Sequence, residues 1–154
     1  ELAPLYELGT TLAVSGRYQG ALDLNVEQLR EMLWLVIDAA VDKGSFFSHL
    51  FALHRLPPPA RILRCSSVPM YIELARRLDV VSMWTDAGLA VLGKRVADGT
   101  MKRLNLREGT PGGRLCLAYP KADLMTTTAR DFVVWLRTSV RDTGSSDHFT
   151  LGAG

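Results

Sequence analysis

Two short stretches carry side chains suited to holding a ligand. Ser66-Ser67 ends an apolar segment and immediately precedes an amphipathic helical pattern, and Gly44-Ser45 precedes a second such pattern. A hydroxyl beside the free N–H groups of a helix's first turn offers donors at the positive end of the helix dipole, a setting for a carboxylate or a sugar hydroxyl. Serine is also the commonest helix cap, so each pair has a purely structural explanation, and the two roles are compatible. Composition by itself favours capping.

Other chemistry finds no support. There is no G-x-S-x-G nucleophile turn and no G-x-G-x-x-G loop, and Gly93-Lys94-Arg95 lacks both the leading glycines and the Ser/Thr of a phosphate-binding loop. His49 and His54 are five residues apart, which on a helix is about 140° around the axis, so they do not share a metal. His148 lies in a patternless C-terminal stretch. Cys65 has no recognisable His partner, and Glu27 and Glu31, four apart on an exposed helix face, are not a general acid/base pair. The chain does not look like an enzyme, and neither a metal nor a cofactor is implied.

The elements that position these serines alternate. Arg61 to Leu106 (RILRCSSVPMYIELARRLDVVSMWTDAGLAVLGKRVADGTMKRLNL) follows the pattern strand, turn, helix, strand, helix, strand. A strand end that hands small hydroxyls to a helix N-terminus is how α/β proteins build ligand clefts. Ile62–Cys65 is predicted to be a strand. Val68 to Leu78 is predicted to be a helix with Pro69 in its first turn and Tyr71, Ile72, Leu74, Ala75 and Leu78 inward. Val80 to Trp84 is a buried strand, and Thr85 or Asp86 caps a helix to about Ala97. Gly99 supplies a left-handed stop with Lys94 and Arg95 in the closing turns, and Met101–Leu106 is a further strand.

Upstream, Leu5–Ser15 is one or two extended segments, and Asn25 with Gln28 three residues on forms a capping box for a short helix with Val26, Leu29 and Leu33 inward. The continuous apolar run Leu33–Ile37 fits a strand buried on both faces. Asp38–Gly44 is expected to be a loop and Ser45 to cap a helix whose stripe is Phe46, Phe47, Leu50, Phe51 and Leu53. Pro57-Pro58-Pro59 is expected to end it. Downstream, Glu108–Gly113 is a turn, Leu115–Tyr119 a strand, and Thr126–Val140 a helix with Ala129, Phe132, Val133, Leu136 and Val140 at helical spacing. A tail follows from Arg141. The alternation argues for an α/β fold with a parallel-rich sheet.

The 154 residues suffice for one domain or two small lobes. With 47% apolar and 22% charged residues the profile is globular. The net charge of +2, from 18 basic and 16 acidic residues, is too small and too dispersed for a free-standing nucleic-acid binder. Cys65 and Cys116 both sit in apolar runs, so two buried thiols in a reducing, cytoplasmic setting are expected. No apolar run has the length of a membrane span, and the start, ELAPLYELG, lacks the basic and apolar regions of a signal peptide.

The order of motifs resembles the C-terminal effector-binding domain of LysR-type transcriptional regulators. The matching stretches are PLYELGTTLAVSGRYQGALDLNVEQLREMLWLV, GSFFSHLFALHRLPPPARILRCSSVPMYIELARRLDVVSMW, GTMKRLNL and LCLAYPKADLMTTTARDFVVWLR, together covering roughly Pro4 to Arg137. No single motif is diagnostic; their order and spacing carry the resemblance. Two departures stand out. Asp79–Trp84 (DVVSMW) has no glycine or proline where the family has G-x-G and then proline, and Met125-Thr126 replaces the usual Leu-Ser.

The resemblance implies a two-lobed, periplasmic-binding-protein-like (type II) α/β fold with a mixed, mostly parallel sheet, one lobe complete and the other partial. It places a crossover strand region at 1–16, effector-binding lobe two at 17–104, a returning strand and helix of lobe one at 105–140, and a tail at 141–154. It implies a co-inducer-sensing module of a homo-oligomeric regulator that touches DNA only through an N-terminal helix-turn-helix absent from this chain. Its effector, an anionic or sugar metabolite, lies between the lobes near Gly44, Ser45, Ser66 and Ser67, and closure alters assembly and DNA bending. A solute-binding protein of a transport system is the alternative with the same architecture. A truncated regulator domain is expected to bind effector weakly or not at all, and the apolar faces of 115–119 and 126–140 are expected to find cover by self-association, by strand exchange or by folding onto lobe two.

Overall fold

The computed structural model describes residues 1–37 and 45–144, in two compact units. One unit is Gly9–Gly112; the other joins Glu1–Leu8 to the chain from Gly113 onward. The expected loop Asp38–Gly44, and with it Gly44, lies outside the described residues.

The larger unit is a six-stranded sheet flanked by helices. Its strands are β2 (Thr10–Ser15), β3 (Asp23–Leu24), β4 (Trp34–Ile37), β5 (Ile62–Cys65), β6 (Val81–Thr85) and β7 (Met101–Leu106), and its helices are α1 (Val26–Arg30), α2 (Phe46–Leu53), α3 (Val68–Arg77) and α4 (Asp86–Ala97). The strand order is β3-β7-β2-β6-β4-β5. β3–β7, β4–β5 and β4–β6 pair in parallel, whereas β2 runs antiparallel to both β6 and β7, so the sheet is mixed and mostly parallel, as expected.

β4 shows why both faces are covered. Trp34, Leu35 and Val36 are all buried, and because side chains alternate along a strand they serve opposite faces. Trp34 and Val36 join a core with Leu29, Phe47, Leu50 and Phe51 of α1 and α2. Leu35 joins a second core with Tyr71, Ala75 and Leu92 of α3 and α4. Trp34 anchors the first core: its ring meets Phe47 and Phe51 edge-on at 5.2 and 5.4 Å, and its Nε1–H donates to the Leu29 carbonyl at 2.9 Å.

Local signals are met in detail. Asn25 and Gln28 form the predicted capping box, with the Gln28 N–H donating to Asn25 Oδ1 at 2.8 Å and the Asn25 N–H to Gln28 Oε1 at 3.0 Å. Gly99 has φ +74°, the left-handed stop after α4. A Cβ at Gly16 would collide with the Gly99 carbonyl oxygen, which explains glycine where the Gly16 N–H reaches the Thr100 carbonyl at 2.8 Å.

Several expectations need correction. The proline run does not end α2. Arg55, at φ +55°, does: the Arg55 and Leu56 N–H groups return to the Ala52 and Phe51 carbonyls in a Schellman motif made without glycine. Leu53 is consequently on the outer face and 56% exposed. Leu33 and Leu78 are not helical; α1 ends at Arg30 and α3 at Arg77.

The smaller unit pairs β1 (Leu2–Leu8) antiparallel with β8 (Gly113–Ala118), followed by a 3-10 turn at Ala122–Leu124 and helix α5 (Thr127–Gly144), which packs on β1. The register slips between Pro4 and Tyr6. α5 runs past Val140, the predicted end, so the tail is not unstructured from Arg141. Val133 is buried, but Phe132, Val134 and Trp135 are exposed, with the Phe132 and Trp135 rings stacked at 5.9 Å. Cys116 is exposed, contrary to expectation, because β8 has only β1 beside it in a two-stranded sheet.

Trp34→Ala should destabilise the larger unit by about 3–5 kcal/mol, since it removes a buried indole together with its hydrogen bond. Urea unfolding followed by circular dichroism measures this, and a loss under about 1 kcal/mol would contradict the anchoring role.

Candidate functional site

The serines singled out from the sequence lie at one edge of the larger sheet. β4, β5 and β6 run parallel, so their C-terminal ends share an edge, with Ile37 opposite Cys65 across the β4–β5 pair. A helix starts after each strand: Ser45 is the N-cap of α2, Ser67 of α3 and Thr85 of α4. Because β2 is antiparallel to β6, its first residue, Thr10, sits opposite Thr85 at the same edge. Three helix N-termini thus lie beyond one end of these strands, α2 on one face of the sheet and α3 and α4 on the other, near the place where strand direction changes between β6 and β2. Ligands of open α/β sheets bind at such positions.

The individual groups differ in how engaged they are. Ser45 Oγ accepts the Ser48 N–H at 3.2 Å and lies 3.1 Å from Ser48 Oγ. Ser67 Oγ accepts the Met70 N–H at a long 3.5 Å, while its carbonyl takes both the Tyr71 N–H at 2.8 Å and the Cys65 S–H at 3.3 Å. Ser66 is exposed and its hydroxyl makes no hydrogen bond among the described residues. Thr85 caps α4 by position without a side-chain hydrogen bond. Ser45 and Ser67 therefore do cap, and Ser66 together with the Thr85 hydroxyl are the less committed donors. Val68 and Met70, on the first turn of α3, are 58% and 54% exposed and give the Ser66-Ser67 surface an apolar border.

Thr10, Tyr71, Thr85 and Thr110 also shape this edge, and none was singled out from sequence as a site residue. Thr10 Oγ1 donates to the Pro111 carbonyl at 2.8 Å and Thr110 Oγ1 to the Thr10 carbonyl at 2.6 Å, clipping together the two segments through which the chain enters and leaves this unit. Their contact spans a hundred residues of sequence, so no local pattern signals it. Tyr71 could be read only as part of an inward stripe.

Three depressions lined by described residues lie at the opposite edge. One of about 250 Å³ is lined by Gly16, Arg17, Arg76, Arg77, Gly99 and Thr100; two others border Arg30 and Glu31. Their charges are largely paired: Glu73 bonds Arg76 at 2.6 Å and Arg77 at 3.0 Å, and the Arg76 bond first, then that of Arg77, holds the Glu73 carboxyl below its usual range against some desolvation. Asp98 is held low in the same way, chiefly by hydrogen bonds from Thr100. Among the described residues no group of three metal-capable side chains gathers. No helix among them is long and apolar enough to cross a membrane.

No family model and no curated protein matches the chain. Solved structures do. The effector-binding domain of QuiR in complex with shikimate superimposes with TM-score 0.69 at 13% identity, over 92% of this chain and 66% of that one. The regulatory domain of Synechocystis CcmR in complex with 2-PG gives 0.68 at 15%, over 92% and 67%. The fold is that of LysR-type effector-binding domains. It is also the fold of periplasmic binding proteins: ArtJ of Geobacillus stearothermophilus, an arginine-, lysine- and histidine-binding protein, gives 0.61 at 12%, over 94% of this chain and 58% of that one. The chain thus spans about two thirds of the length of the LysR-type domains whose fold it has.

Tyr71 gives the larger unit a pH signature. Burial pushes its phenol well above the ordinary value, outweighing the hydrogen bond with Met83, with Cys65 adding a smaller push in the same direction. In the unfolded chain a tyrosine ionises near pH 10. The stabilisation is therefore present in full below about pH 10 and is lost above it, as the unfolded state gives up a proton that the folded state keeps. The urea midpoint should be level up to about pH 9 and fall beyond 10, and the fall should be smaller in Tyr71→Phe. Identical alkaline slopes for the two proteins would refute this assignment.

Proposed function

We propose that this chain is the effector-sensing part of a LysR-type transcriptional regulator, with the Gly9–Gly112 unit as its effector-binding lobe and the β1–β8–α5 unit as part of the other. The observation that carries this is the likeness in fold to ligand-bound LysR-type effector domains, together with three helix N-termini at one sheet edge in this chain. Ser66 and Ser67, with Gly44 and Ser45, are the proposed effector contacts, and helix N-termini suit an anionic or hydroxyl-rich metabolite. An effector moves the regulator only by its differential affinity for two arrangements, and the proposed outcome is altered assembly and DNA bending in the full regulator. Residues 1–16 then form the crossover region, 17–104 the main body of lobe two and 105–140 the return to lobe one. DNA contact belongs to a helix-turn-helix outside this chain, no catalytic step is assigned, and the cytoplasm is the proposed location. The transport-type alternative has ArtJ in its favour, at a lower TM-score than the QuiR and CcmR domains.

Titration of the labelled chain with shikimate, inorganic phosphate and small sugar acids, followed by amide NMR, tests the site. Shifts should centre on Ser66–Tyr71, and the Ser66→Ala/Ser67→Ala double variant should weaken them at least tenfold while costing about 1 kcal/mol of stability through the lost cap. Shifts centred on Arg17, Arg76 and Thr100, or a response indifferent to the double variant, would sink the proposal.

Association is the second element. Phe132, Val134 and Trp135 expose an apolar face on a two-stranded unit too small to cover it. Sedimentation velocity should show concentration-dependent self-association that Trp135→Ser shifts toward monomer; a monomer at every concentration would contradict it.

A further inference from the structure

We propose that Tyr71 is a wedge that holds β4 and β6 apart at their C-terminal ends and thereby positions the first turns of α3 and α4 for a ligand, a role that rests on the effector site proposed for that edge.

The β4–β6 ladder is short. It pairs Trp34 with Val81 and Leu35 with Ser82 and then stops, although β4 continues to Ile37 and β6 to Thr85. The Val81 N–H donates to the Leu33 carbonyl at 2.8 Å. By the two-residue repeat of a parallel ladder, the Leu35–Ser82 pairing draws on the Met83 N–H and the Leu35 carbonyl, and the next bond would run from the Ile37 N–H to the Met83 carbonyl. A side chain takes that carbonyl instead. The Met83 N–H donates to the Tyr71 hydroxyl at 2.9 Å, and that hydroxyl donates back to the Met83 carbonyl at 3.0 Å. One phenol from α3 thus satisfies both main-chain groups of the residue at which the ladder ends. β6 meanwhile stays paired with β2 as far as Thr85 opposite Thr10, so the parting is confined to its β4 side.

Tyr71 also ties this gap to the proposed ligand groups. Its own N–H closes the first turn of α3 on the Ser67 carbonyl at 2.8 Å, so phenol and candidate hydroxyls are one helical turn apart. Its ring meets Trp84 edge-on at 5.7 Å. Trp84 Nε1–H donates to Ser82 Oγ at 2.9 Å, which donates to the Ala13 carbonyl at 3.0 Å. On the α4 side, a Cβ at Gly88 would lie 3.2 Å from a Trp84 ring carbon, so the start of α4 rests against that indole. Ser67, Tyr71, Met83, Trp84 and Gly88 form one chain of contacts linking two of the three helix N-termini, and its buried centre, Tyr71 against Trp84, transmits displacement because neither a void nor an unpaired polar group is tolerated there.

Tyr71→Phe keeps the ring and removes only the hydroxyl, leaving the Met83 main chain without the phenol or letting β4 and β6 zip one rung further, from the Ile37 N–H to the Met83 carbonyl. In the 154-residue chain, hydrogen exchange of the Met83 amide should accelerate at least tenfold or, on zipping, slow as far. The amide resonances of Gly88 and Leu89 should shift, and the inorganic-phosphate response at Ser67–Tyr71 should weaken at least tenfold. Phe51→Leu, a core change in the other layer, should leave that phosphate response intact, separating positioning from stability. An unchanged Met83 exchange rate, or an altered rate with wild-type phosphate response, would overturn the wedge. If the wild-type chain itself shows no phosphate response at this edge, the effector site fails; the wedge is then decided by Met83, Gly88 and Leu89, and their silence would overturn it too. Should Tyr71→Phe not fold, 3-fluorotyrosine incorporated in the wild-type chain gives the same answer: the fluorine resonance of Tyr71 must move on phosphate addition, and a stationary one overturns the proposal.

Discussion

The burial of β4 on both faces is the constraint from which the rest of the larger unit follows. A strand whose Trp34, Leu35 and Val36 are all sequestered needs helices above and below it. Parallel neighbours on either side, β5 and β6, need crossover connections, which α2 and the flanking helices provide. Each crossover returns the chain so that the next helix begins beyond a strand's C-terminal end. The gathering of the Ser45, Ser67 and Thr85 caps at one edge is thus a consequence of sheet direction, and the ligand-holding potential of that edge comes with the architecture before any special residue is chosen.

Most of this was legible in the sequence. The LWLVI run announces a strand buried on both faces because no position in it breaks the apolar pattern. The Asn25/Gln28 box, the Ser67 cap and the Gly99 stop are local arrangements within a few residues, and all three are present. What stayed hidden depends on partners distant in sequence or on unusual backbone. Arg55 in the left-handed region carries no sequence signal, since glycine or asparagine is the ordinary choice there, and the proline run beside it drew the attribution instead. The antiparallel placement of β2 between β6 and β7 is a pairing across some seventy to ninety residues and has no local signature. Cys116 lies in an apolar run yet is exposed, because burial depends on what covers a strand as well as on its own residues.

The candidate site shows the same division. The hydroxyls were visible as residue types next to helix starts, whereas their status was not: Ser45 and Ser67 are engaged as caps, and the exposed Ser66 hydroxyl makes no hydrogen bond among the described residues. The Tyr71 phenol, which replaces a ladder hydrogen bond between strands, could not be distinguished by periodicity from any other inward aromatic residue of α3. The two edges of the sheet also differ in electrostatic character. The far edge holds arginines largely paired with Glu73 and Asp98, while the near edge holds serine and threonine beside helix N-termini. An incoming anion at the far edge would compete with existing carboxylates.

The most direct test of the central claim is hydrogen–deuterium exchange, read by mass spectrometry, of the chain with and without a bacterial small-metabolite extract. The account predicts added protection confined to peptides covering residues 62–72 and 81–90, around the first turns of α3 and α4. Protection appearing instead in peptides covering 73–78 and 98–102, or no protection anywhere in the larger unit, would contradict it.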